Sequence, residues 1–110
     1  SVQLIGQTGN IATTTIYTPA AAGLFRVNVY QICSVAGTAG TLATTIGWTD
    51  AVGAKTIKPA ADIDLASTAN GATGMSFIST TASAITYASA ITGGTGSPQY
   101  AIYLVIEALV

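Results

Sequence analysis

The stretch "YTPAAAGLFRVNVYQICSVAG", from Tyr17 to Gly37, decides the fold class. A short extended lead-in reaches Pro19, small residues turn the chain, and Gly23 closes the turn. From Leu24 to Val35 the side chains then alternate. Phe25, Val27, Val29, Cys33 and Val35 occupy one face, with Gln31 the single polar exception. Arg26, Asn28, Tyr30 and Ser34 occupy the other, with Ile32 the apolar exception. A period of two with one apolar face is a half-buried β-strand. Gln31 on the apolar face predicts a bulge or a partner for its amide.

The same pattern runs outward in both directions. "VQLI" (Val2 to Ile5) and "IATTTIY" (Ile11 to Tyr17) read as strands, with residues 1–10 forming an N-terminal arm or an edge strand. "TLATTIGWTD" places Leu42, Thr44, Ile46 and Trp48 on one face, and "DAVGAK" is a hairpin loop in which Asp50 caps and Gly53 takes positive φ. "KTIK" returns as a short edge strand stopped by Pro59. "AADIDLASTANGATG" reads as a crossover loop holding a short strand around Ile63 and Leu65. "MSFISTT" and "AITYASAI" are strands with large residues at alternate positions, namely Met75 and Phe77, then Ile85, Tyr87 and Ile91. "TGGTGSP" is a glycine-rich tip.

"QYAIYLVIEAL" (Gln99 to Leu109) closes the chain. Tyr100, Ile102, Leu104 and Ile106 alternate with Ala101, Tyr103, Val105 and Leu109, so both faces are apolar apart from Glu107. A strand apolar on both faces is normally covered on both. This predicts a subunit interface on the last strand, with Tyr100 and Leu109 as candidates. The expected fold is all-β: an antiparallel β-sandwich, jelly-roll-like, with seven or eight strands, residues 11–110 forming one domain. No segment carries a helical period with caps. The immunoglobulin-type alternative normally shows Cys, Trp and Cys in order, whereas here the one Cys precedes the one Trp.

Composition narrows the function. The chain has 110 residues, 50% hydrophobic and only 6% charged, with a net charge of −1. Typical soluble domains carry about 25% charged residues. Little repulsion keeps copies apart, which favours association. Three scattered cations build no basic stripe for nucleic acid. No apolar run reaches the roughly 20 residues of a membrane-spanning helix, and the longest contains Glu107. With no histidine, Ser-His-Asp, Cys-His and His-ligated metal sites are excluded. Asp62 and Asp64, one residue apart, are the one candidate oxygen-ligand pair for a cation, with Asn70 as helper, against the alternative of a solvated loop. The glycine-rich tip lacks the lysine of a phosphate loop. Cys33 reads as a buried strand residue. The sequence therefore predicts no enzyme and no cofactor.

Pro19, Gly23, Phe25 and Val27 resemble the opening of the long strand in trimeric jelly rolls of the tumour-necrosis-factor and complement type. Gly40, Trp48, Thr49, Asp50, Gly53, Thr56, Tyr87, Gly96, Pro98 and Tyr100 are similar to the pattern of small β-domains of bacteriophage structural proteins. The resemblance implies a virion-surface protein: a capsid decoration or cementing subunit, or a fibre subunit. It implies a homo-oligomer, a trimer by analogy, in which Leu24–Val35 pairs with the last strand and Tyr30, Tyr103 and Val105 lie at the subunit contact, and whose further partner is a capsid or other virion protein. Two alternatives remain open: a subunit of a cellular extracellular filament or surface layer, and a carbohydrate- or receptor-binding module displaying aromatic side chains such as Trp48.

Overall fold

The computed structural model describes residues 1–109. Among them nine strands occur: β1 Val2–Gln7, β2 Ile11–Tyr17, β3 Gly23–Val35, β4 Ala39–Thr49, β5 Ala54–Ile57, β6 Ile63–Asp64, β7 Gly71–Thr80, β8 Ile85–Thr95 and β9 Gln99–Leu109. They form two antiparallel sheets. One has the order β1-β9-β3-β7 and the other β2-β8-β4-β5, with β6 attached to β4. Without the two-residue β6, the pairs β1–β9, β2–β8, β3–β7 and β4–β5 nest like rungs of one long hairpin wound into two layers. That winding is a jelly roll. The strand count exceeds seven or eight because the crossover segment contributes β6.

β3 is long because it is the middle of the first sheet. It pairs with β9 from Leu24↔Leu109 to Val35↔Gln99 and with β7 from Gly23↔Thr80 to Ile32↔Gly71. The core between the sheets takes Phe25, Val27, Val29 and Cys33 from β3, Leu42 and Ile46 from β4, Ile85 and Tyr87 from β8, and Ile102 and Leu104 from β9. Val35 leaves this face and is exposed, because the β3–β9 register shifts between Cys33 and Val35. Val2–Gln7 is an edge strand on β9. Gln31 is buried without a register break in β3–β7, and its amide has found partners on both sides.

β7 runs against expectation. Met75 and Phe77 face solvent, while Gly74, Ser76 and Ile78 face the core. The register sets this: Val27 lies opposite Ser76, and Arg26 opposite Phe77. Packing explains it, because a Cβ added at Gly74 would overlap the carbonyl oxygen of Pro59. The Pro59–Ala60 segment thus passes beneath β7 and occupies the space large core side chains would need. Gly74, Ser76 and Ile78 fill what remains.

Candidate functional site

The outer face of the β1-β9-β3-β7 sheet holds the distinctive surface. Antiparallel register lines up its side chains in cross-strand rows. Tyr30 on β3 lies opposite Tyr103 on β9, with ring centroids 5.7 Å apart and planes inclined by 27°. Asn28 lies between Val105 and Met75, and Arg26 between Glu107 and Phe77. Phe77 is 64% exposed, Met75 56%, Tyr30 48% and Val105 46%. Leu24 and Ile5 extend the exposed apolar set toward the ends. Scattered exposed apolar residues are ordinary, but a contiguous set on one sheet face is not.

One polar cluster crosses this surface. Asn28 Nδ2 donates to Glu107 Oε1 at 2.9 Å. Arg26 Nε lies 3.6 Å from the same oxygen and makes no hydrogen bond, although its atom is buried. The Arg26 guanidinium Nη1 meets Met75 Sδ at 3.9 Å. Both charged side chains are well exposed, so the pair adds little to stability. It does leave one cation, one anion and an amide in the middle of an aromatic and aliphatic field.

Of the residues singled out from the sequence, Tyr30, Tyr103, Val105 and Leu109 lie on this face. Tyr100 does not. It is 0% exposed and belongs to the opposite, core-facing set of β9. Its hydroxyl donates to the Gly9 carbonyl at 2.6 Å and lies 2.5 Å from Ser89 Oγ, tying β9 to β8 and to the turn before β2. Burial pushes the Tyr100 phenol up, with the Ser89 bond opposing. Tyr100 therefore contributes nothing to the exposed face. Met75 and Phe77 take its place, and alternation alone could not assign their face, because it shows two faces without saying which is inside.

The Asp62 and Asp64 carboxylates do not converge. Asp62 is held by Lys58 Nζ at 3.2 Å, and Asp64 Oδ1 accepts the Ala66 N–H at 2.8 Å. The Asn70 side-chain amide donates to the Asp64 backbone carbonyl at 2.9 Å. Among the described residues no group of three or more acids and thiols is placed to hold a metal ion. Asp50 is likewise engaged: it accepts the Val52 and Gly53 N–H groups at 2.8 and 3.0 Å and meets Lys55 Nζ at 3.3 Å. The Val52 N–H, more than any other cause, holds its carboxyl below the usual range. Gly53 supplies the turn's positive φ of 148°. Cys33 is buried, and that burial pushes its thiol up.

Three open grooves lie elsewhere. One of about 410 Å³ runs between Thr8–Gly9 and the Gly94–Pro98 tip. Another of about 320 Å³ is lined by Tyr17, Phe25, Ile106 and Ala108. The third, of about 250 Å³, has Trp48 beside Lys55, Thr56 and Thr86. Trp48 is half-buried and packs against the core edge.

No family model matches this chain, and no curated protein does. Among solved structures it is similar to one described as the EclA C-terminal domain, a sugar-binding protein. The TM-score is 0.56 at 15% identity, covering 96% of this chain and 76% of the other. At that identity the likeness shows a shared all-β fold.

Proposed function

We propose that this chain is a non-enzymatic structural subunit that works through subunit–subunit contacts on the outer face of the β1-β9-β3-β7 sheet. The observation that carries this reading is the exposed apolar field of Tyr30, Met75, Phe77, Tyr103 and Val105, centred on the Arg26–Glu107 pair. An interface core of this kind pairs aromatic, Met and Arg side chains with few other charges. The engagement of Asp50, Asp62 and Asp64 in turns and ion pairs, in a chain without histidine, supports a non-catalytic role. The setting we propose is the virion surface, as a decoration, cementing or fibre subunit beside a capsid protein; the sequence resemblance is its support. The test is the mass of the purified chain by light scattering at two concentrations, with Val105→Glu alongside. A multiple of 10.9 kDa that falls to a smaller multiple in the variant is the expected result. An oligomer unmoved by Val105→Glu overturns this face as the contact.

A second reading, carbohydrate binding, rests on the sugar-binding protein of similar fold. The stacked Tyr30–Tyr103 pair beside Asn28, Arg26 and Glu107 offers a ring platform with donors and acceptors at its edge. A glycan array read with wild type and Tyr30→Ala checks it. Binding lost in the variant supports it, and silence across the array removes it.

A further inference from the structure

A sheet edge exposes unpaired backbone groups, and folded proteins usually blunt their edges with short strands, bulges, lysines or prolines. Three of the four edge strands here carry such devices. β1 has a register break between Leu4 and Gln7, with Gly6 at φ 66°. β2 breaks register twice against β8. β5 has four residues, includes Lys55, and is followed by Lys58 and Pro59. β7 has none of these. It runs ten residues, "GATGMSFIST", without charge, proline or register break.

The free groups on β7 can be identified. The Cys33 N–H donates to the Asn70 carbonyl at 3.2 Å, one step beyond the Ile32↔Gly71 pair. Antiparallel ladders alternate bonded and non-bonded pairs. Ala72, Gly74, Ser76 and Ile78 therefore bond to β3. Gly71, Thr73, Met75, Phe77 and Ser79 aim their N–H and C=O groups outward. Among the described residues none of those groups has a backbone partner outside the ladder. The Pro59–Ala60 segment lies beneath the strand, against the inner side of Gly74, and does not cap this edge with hydrogen bonds.

We propose that the outer edge of β7 pairs antiparallel with β7 of a second copy of this chain, about a two-fold axis at Ser76. The proposal rests on the assembly reading above and names its geometry. Only residues with outward groups can form the new bonded pairs, so odd-numbered positions must face odd-numbered positions. With the axis at Ser76, Met75 meets Phe77 of the second copy, and Phe77 meets its Met75. Thr73 meets Ser79 in the same way. Each pair exchanges both N–H···O bonds. The thioether–aromatic contact forms twice, between the two large apolar side chains that β7 exposes in the single chain. The second copy is the favoured occupant because the edge is self-complementary. A charge at or beside Ser76 would meet a like charge near the axis, and β7 has none. The product is one continuous eight-stranded sheet with both apolar outer faces on the same side.

The test uses the full chain. Met75→Pro removes an outward N–H and leaves every β3–β7 bond in place, a position where an edge proline is tolerated. The expected result is a wild-type mass of an even multiple of 10.9 kDa, halved in Met75→Pro with an unchanged β-sheet circular dichroism spectrum. Should that variant misfold, Phe77→Lys serves: it places a lysine from each copy beside the axis and is expected to dissociate the pair. Ser76→Cys sets the core-facing side chains of the two copies across a non-bonded pair and is expected to form an interchain disulfide on mild oxidation, whereas Cys33, on the interior strand β3, gives none in wild type. A dimer that survives Met75→Pro and Phe77→Lys but dissociates in Val105→Glu overturns the edge pairing and keeps the outer-face contact. A wild-type monomer, or a trimer, overturns the pairing outright.

Discussion

Gln31 is 0% exposed in the middle of an otherwise apolar strand face, and its cost of burial is met by two bonds. Thr44 Oγ1, on the opposite sheet, donates to Gln31 Oε1 at 2.7 Å. Gln31 Nε2 donates to the Ala61 carbonyl at 2.6 Å. The amide thereby bridges the two sheets and pins the crossover segment. Thr44→Val keeps the side-chain shape and leaves Oε1 buried without a donor. The expected cost is about 1–3 kcal/mol, the penalty of an unmet buried polar group. Gln31→Leu strands the buried Thr44 hydroxyl, whereas Ala61 is exposed and water can serve its carbonyl. The double variant removes both partners, so its cost is expected to fall short of the sum by about 1–2 kcal/mol. Urea unfolding at one fixed protein concentration, followed by Trp48 fluorescence, reads this directly. A loss of 2 kcal/mol lowers the midpoint by about 1 M for a domain of this size. Strictly additive costs, or a Thr44→Val protein within about 0.5 kcal/mol of wild type, would refute the bridge as the reason Gln31 sits in the core.

Gly74→Ala is expected to destabilise by more than 2 kcal/mol, roughly the scale of overpacking, because the new methyl meets the Pro59 backbone and not a movable side chain. Thermal unfolding of this variant, beside Gly9→Ala as an open-space control, checks it. The buried Tyr100 phenol has a folded pKa raised above its ordinary 10.0, so the folded state holds its proton more tightly than the unfolded chain. That contribution is complete below pH 10 and is lost as pH rises through the folded value. Absorbance titration at alkaline pH is expected to show a phenol ionising above its ordinary range, together with loss of structure; Tyr100→Phe removes that phase. Cys33 is expected to resist a thiol reagent until denaturant is added, and rapid labelling of the native protein would contradict its burial and raised pKa.

The sequence made the long strand legible because period-two alternation from Phe25 to Cys33 is a direct trace of a pleat with one buried face. It also made legible the pairing of β3 with the last strand, since both are long and β9 is apolar on each side. What it could not carry was the choice of face. On β9 the two apolar sets are nearly equivalent by composition. Tyr100 goes inside because Ser89 and Gly9 satisfy its hydroxyl there, and those partners come from β8 and the β1–β2 turn. On β7, alternation marks Met75 and Phe77 as the large residues, which ordinarily means core. The Pro59–Ala60 segment reverses that, and a loop that far away in sequence leaves no local signal. Asp62 and Asp64 look alike by spacing, but the structure engages each with a different local partner. Lys58 at four residues' distance and the Ala66 N–H take them apart.

The reversal on β7 and the apolar second face of β9 have a common consequence. A single sandwich in water gains nothing from placing Phe77 and Met75 outside, and each loses about 1.5–3 kcal/mol of burial it would have had within a core. The fold tolerates that loss where the crossover segment claims the inner space. The other edges are broken by bulges, glycine, lysine and proline, so the same chain suppresses strand addition in three places and leaves it open in the fourth. Low charge alone would make such a protein sticky everywhere. In the proposed assembly, three blunted edges and one straight one would direct that general tendency to the β7 edge, beside the exposed outer sheet face.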